Sequence, residues 1–116
     1  MNQIPAFFEF VNRTALIIKP KQPFKEWLLN IESDNQGVEI EKDPMIYLLP
    51  DFDETKDLDR WLKKNFDQIF VDQMNYWYTL ESMWVQNRTF KMFKEWFDYS
   101  LYMMILDTLE EPIEKE

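Results

Sequence analysis

The stretch Arg13-Thr-Ala-Leu-Ile-Ile-Lys19-Pro20, followed at once by Lys21-Gln-Pro23-Phe24-Lys-Glu-Trp27-Leu28-Leu-Asn-Ile31, sets the pattern for the whole chain. Ala15 to Ile18 is a continuous apolar run, rich in β-branched residues and stopped at Lys19-Pro20. Such a run reads as a strand buried on both faces. Pro23 suits the first turn of a helix, where the missing N–H has no partner to lose. Phe24, Trp27, Leu28 and Ile31 then recur at i, i+3, i+4 and i+7, one apolar stripe of a helix. Met45-Ile-Tyr-Leu-Leu49 repeats the first pattern and is stopped by Pro50. Strand, helix and strand in succession predict a right-handed parallel crossover.

Outward from this unit, Leu58, Trp61, Leu62, Phe66, Ile69, Phe70 and Met74 keep helical spacing. Unbroken to Tyr78, that helix would be about 35 Å long. A domain of this length has a radius of gyration of about 13 Å, so a stop or bend is expected around Asp72–Asn75. Trp77 to Asn87 has aromatic residues without a period and reads as irregular. Thr89 opens a short helix carrying Phe90, Phe93 and Phe97. In Ser100–Leu109, Leu101, Met103 and Ile105 alternate as in a strand, although Leu101, Met104 and Ile105 also continue the preceding helix. The expected fold is α+β with a βαβ-like start. Its small three-stranded mixed sheet lies at about 13–19, 45–49 and 100–109, packed with helices at about 23–32, 56–74 and 89–98. One domain spans 1–116, with 1–11 an N-terminal extension and 110–116 an acidic, frayed tail. Ser33 to Pro44 reads as a loop with an extended piece at Val38–Ile40, and Gly37 is the single glycine. Asn, Asp and Pro must therefore supply the other turns.

Thirteen basic residues against twenty-two acidic ones give a net charge of −9. The excess falls late, with five basic and seven acidic residues in 1–50 but eight and fifteen in 51–116. Phosphate backbones need Lys and Arg to neutralise them, so nucleic acid is not an expected partner, nor is an anionic membrane. No run approaches the length of a membrane span. Met1 to Phe10 lacks a basic start and Glu9 interrupts its apolar residues, so it does not read as a signal peptide. With no cysteine present, the expected compartment is the cytoplasm.

The string from Arg13 to Trp27, with its Lys19-Pro20-Lys21-Gln22-Pro23-Phe24 turn, resembles the opening of a family of small bacterial cytoplasmic proteins of uncharacterised function. Ile46-Tyr-Leu-Leu-Pro50 fits the short proline-stopped strand of that pattern. Arg88-Thr89-Phe-Lys-Met-Phe93-Lys-Glu-Trp96-Phe97-Asp98 is similar to its closing motif. The resemblance runs from about Asn12 to Pro112. It implies a stand-alone bacterial domain and carries over no activity and no catalytic residue.

Chemistry is bounded mainly by what the composition lacks. Without His or Cys the commonest general base, the strongest common nucleophile and the usual zinc ligands are gone. Ser33, Ser82 and Ser100 have no evident activating base. No cofactor and no metal are expected. Asp51-Phe-Asp53-Glu54-Thr-Lys56-Asp57-Leu-Asp59 fails as a calcium loop, because Lys56 and Leu62 stand where glycine and glutamate belong. Capping of a helix by Asp53 or Thr55 explains that cluster better.

Two binding patterns stand out. Lys19 and Lys21 beside a helix N-terminus, with Trp27 near, would suit a small anion; alternatively they only stiffen and neutralise a turn. Tyr76-Trp77-Tyr78, with Met83 and Trp84, has the composition of a protein-binding hot spot; alternatively it packs on the core. The expected function is thus a non-catalytic interaction or adaptor domain binding a protein partner or its own copy. A small-anion binder at the Lys19–Lys21 turn and an acidic inhibitor mimicking nucleic acid are the alternatives.

Overall fold

The structure is a computed structural model, describing residues 8–35 and 44–116. Gly37 and the extended piece expected at 38–40 lie outside them. Along the chain run β1 (Glu9–Phe10), β2 (Arg13–Pro20), α1 (Gln22–Ile31), β3 (Met45–Pro50), α2 (Thr55–Trp77), α3 (Phe90–Trp96), β4 (Phe97–Tyr102) and β5 (Leu106–Asp107), with single 3-10 turns at Ser33–Asn35 and Glu81–Met83. The class is α+β.

The sheet corrects the expected connectivity. Strand order is β3-β2-β4, and β2 pairs antiparallel with both neighbours, Leu16 opposite Tyr47 on one side and Leu101 on the other. The sheet is therefore not mixed, and α1 joins two antiparallel neighbours, not a parallel crossover. A short apolar strand carries no mark of its partner's direction; the connection sets it.

Alternation along β2 decides the faces. Leu16 and Ile18, with Leu49 of β3 and Phe97 of β4, join one core with Phe24, Trp27 and Leu28 of α1, Leu58, Leu62, Ile69, Phe70 and Met74 of α2, and Phe93 of α3. Phe70 and Phe93 are fully buried at its centre, where Phe70 meets Phe97 edge-on at 5.1 Å. All three helices thus cover the same side of the sheet.

Helix α2 does not stop at Asp72–Asn75. Gln73 and Met74 are buried and Trp77 packs on the core, so the apolar stripe continues another turn. Nothing in 72–77 is glycine or proline to break it. Its cap also differs from expectation: Glu54 is the N-cap without a side-chain cap bond, and Asp57 supplies the acid in the first turn. Thr89 does cap α3, accepting from Met92 N–H at 3.1 Å. Asn87 takes the left-handed turn before it (φ 56°), a place where glycine would be usual.

The third strand begins three residues earlier than expected, at Phe97, and ends at Tyr102. Leu106–Asp107 then pairs with Glu9–Phe10 in a separate ribbon, Phe10 opposite Leu106. Between Ala15↔Tyr102 and Phe10↔Leu106 the first chain has four residues and the second three. That one-residue excess behaves as a bulge, which interrupts a ladder and re-aims its faces. Residues 110–116 are exposed and without regular structure.

Edge strand β3 is fastened to α2 by Tyr47. Its hydroxyl donates to Asp72 Oδ2 at 2.5 Å and accepts from buried Gln73 Nε2 at 3.0 Å. Burial, and then the bond to Asp72, raise the Tyr47 pKa well above its ordinary 10.0. The unfolded chain therefore loses this proton first, so stability is full below about pH 10 and falls as pH rises beyond it. Tyr99 is raised by burial and by Asp59, with the same sign. Tyr47→Phe is expected to cost about 1–2 kcal/mol at neutral pH, because Gln73 loses an acceptor. It should also flatten the alkaline loss. Urea midpoints for both proteins between pH 7 and 11 check this; parallel curves would mean that the hydroxyl is solvated.

Candidate interaction surface

The Trp-rich segment expected to bind a partner turns inward. Trp27 is only 9% exposed, and its indole N–H donates to the Met83 carbonyl at 2.9 Å. Trp84 donates to the Tyr78 carbonyl at 2.7 Å, and the Tyr78 ring meets Trp27 edge-on at 6.1 Å. Trp77, Tyr78 and Trp84 all pack against the core. Met83 is half-buried, and of the five residues singled out only Tyr76 is well exposed, its ring 5.6 Å from Trp77. The aromatic residues here replace regular structure. Two indole N–H groups satisfy backbone carbonyls that no helix or strand reaches, which is how an irregular segment is held over a core.

A fork of hydrogen bonds closes the same segment. Arg88 Nε and Nη2 reach the two Asp67 carboxylate oxygens at 2.7 and 3.3 Å, and Nη1 donates to the Val85 carbonyl at 2.8 Å. This bidentate geometry belongs to arginine alone.

The Lys19–Lys21 turn is likewise occupied by the chain itself. Lys19 lies directly opposite Asp98 in the β2–β4 register. Lys21 Nζ stands 4.0 Å from Asp98 Oδ1 and donates to the Lys94 carbonyl at 3.3 Å. Its backbone N–H goes to the Trp96 carbonyl at 2.7 Å. Trp27 is in the core below, so Lys19, Lys21 and Trp27 do not converge on one site.

Among the described residues no helix covers the other face of the sheet. There the β registers line up Leu48, Ala15 and Tyr102 in one row and Ile46, Ile17 and Ser100 in the next. Ile46 is 60% exposed and Leu48 50%. Of the strands expected to be buried on both faces, β2 keeps Ala15 buried on this side too, whereas β3 exposes Ile46 and Leu48. Among the described residues strand β3 pairs on one side only, with β2, and its sequence Met-Ile-Tyr-Leu-Leu-Pro contains no charged residue. Edge strands of natural proteins ordinarily carry charge or are covered, because open N–H and C=O groups invite pairing. Beyond the sheet, exposed Phe10, Met103, Met104, Leu106 and Leu109 continue along the β1–β5 ribbon and the residues around it. Exposed leucine and methionine singly mean little, but Ile46 and Leu48 exposed together on one strand do.

Two hollows flank these elements. One, of about 460 Å³, lies along the ribbon and is lined by Glu9, Phe10, Val11, Asp107, Leu109, Glu110, Glu111 and Pro112. The other, of about 360 Å³, lies between α2, α3 and β4 and was not legible as a site from the sequence. Among the described residues no group of three or more carboxylates is placed to hold a metal ion, and no helix is long and apolar enough to cross a membrane.

No family model, curated protein or solved structure matches this chain.

Proposed function

We propose that this chain is a non-catalytic interaction domain that pairs with its own copy through edge strand β3. The observation carrying this reading is the uncharged edge Met45–Pro50, paired on one side only among the described residues, with Ile46 and Leu48 exposed. An antiparallel edge is self-complementary: two copies related by a two-fold axis extend each other's ladder. The result is a six-stranded sheet in the order β4-β2-β3-β3-β2-β4, within the usual range for open sheets. Across that junction the Ile46 and Leu48 rows of the two copies run on from one another, removing apolar surface from water.

The non-catalytic part of the reading rests on composition, since the sequence has neither His nor Cys, the commonest general base and strong nucleophile. Acidity keeps such a dimer from further association, since like net charges repel at every contact except the apolar edge. Light scattering across concentration, on the native chain and on Ile46→Lys with Leu48→Lys, tests the reading.

A further inference from the structure

The hollow between α2, α3 and β4 gathers three cations in a chain whose net charge is −9. Arg60 and Lys63 reach it from α2 and Lys94 from α3, while Phe90 and Tyr99 form its apolar walls and Asp59 is its one acid. The two rings are held by a common support. Phe93, fully buried, stacks against Phe90 (14° between planes) and against Tyr99 (27°). Lys94 Nζ sits 4.9 Å over the Phe90 ring, which fixes the ammonium without neutralising it.

Charge neutralisation within the chain is incomplete here. Arg60 faces Asp57 one turn back at 3.7 Å, an exposed pair of the kind that contributes little. Among the described residues Lys63 has no ion pair. Some cations elsewhere do face the chain's own acids, Lys21 near Asp98, Lys56 near Glu54 and Arg88 at Asp67. A hollow of about 360 Å³ falls within the range that admits a small molecule.

We infer that this hollow binds a small planar anion, an aryl phosphate or an aromatic polycarboxylate, with its charged end on Arg60, Lys63 and Lys94 and its ring between Phe90 and Tyr99. With Asp59 set against Arg60, Lys63 and Lys94 the lining carries two net positive charges, which favours two negative charges over one. Guanidinium and ammonium groups accept either oxyanion, and the rings supply the selectivity for a flat body. The site is independent of edge pairing: it lies on the helical side of the sheet and β3 contributes nothing to it.

The test is calorimetric titration at low ionic strength with phenyl phosphate, inorganic phosphate and benzene-1,2-dicarboxylate. Saturable one-site binding of phenyl phosphate is expected, at least about tenfold tighter than inorganic phosphate. Lys63→Glu should weaken it about tenfold or more, while Lys115→Glu, an equal change of charge in the tail, should leave it within about twofold. Asp59→Asn should strengthen it, since the acid opposes the ligand. Phosphate and its phenyl ester binding equally would overturn the inference, as would equal weakening by Lys63→Glu and Lys115→Glu, or no saturable heat. Circular dichroism on each variant separates loss of binding from loss of fold.

Discussion

Trp27→Ala unfolds this protein at a temperature lower by more than about 10 °C, a loss on the order of 3–5 kcal/mol. The size follows from what the side chain does. It fills core volume beside Phe24 at 5.1 Å, and it holds the Tyr78–Trp84 segment through its bond to the Met83 carbonyl. Removing it opens a cavity and leaves a carbonyl without its donor in a half-buried place. Typical domains have only about 5–15 kcal/mol of total stability, so the loss is a large part of the whole. Trp27→Phe, which keeps most of the volume, should lose about 1–2 kcal/mol, the share of the hydrogen bond and the smaller ring. Tyr76→Ala is the counterpart. Its ring is 69% exposed and the change should stay within about 0.5 kcal/mol. Thermal unfolding of the three variants distinguishes an aromatic clamp from an aromatic binding face. If Tyr76→Ala were as damaging as Trp27→Ala, the division of this segment into inner and outer residues would be wrong.

That division shows why the sequence was readable in some places and misleading in others. Stripes at helical spacing placed Phe24, Trp27, Leu58, Leu62, Phe70 and Phe93 inside, and all are buried. Periodicity reports which residues share a face, and a helix covers its own backbone needs. Helix α2 runs past the stop expected from domain size, because Met74 and Trp77 continue the same stripe. Strand direction was invisible, because Ala15–Ile18 and Met45–Leu49 are equally apolar whichever way they pair. Their continuous apolarity suggested burial on both faces, and the helices among the described residues cover one. Trp77 belongs to the stripe of α2, and for Trp84 the lack of a period reflected irregular backbone, not outward orientation. The cluster at Arg60, Lys63 and Lys94 was hidden for another reason. Arg60 and Lys63 look like an ordinary solvated helix face until α3 brings Lys94 and Phe90 alongside, and the alternating β4 places Tyr99 there.

The apolar character of β3 that the helices do not use is the basis for the second large effect. Ile46→Lys with Leu48→Lys should weaken self-association at least about 100-fold, a change of about 2.7 kcal/mol. Four lysines then meet across the two-fold junction, and each repels its neighbours where the native residues are covered. The fold itself should tolerate the change within about 0.5 kcal/mol per site, since both side chains point away from the core and charge on an edge strand is common. Equal loss of stability and of association would mean that this face is packed by the chain's own residues.

The most direct measurement is therefore size-exclusion chromatography with light scattering over a hundredfold range of protein concentration. Edge pairing through β3 predicts a species of about twice the 14.4 kDa chain mass at the higher concentrations, shifting to the single-chain mass in the doubly substituted, still folded variant. A native chain that stays at 14.4 kDa throughout, or a dimer indifferent to lysine at 46 and 48, would contradict it.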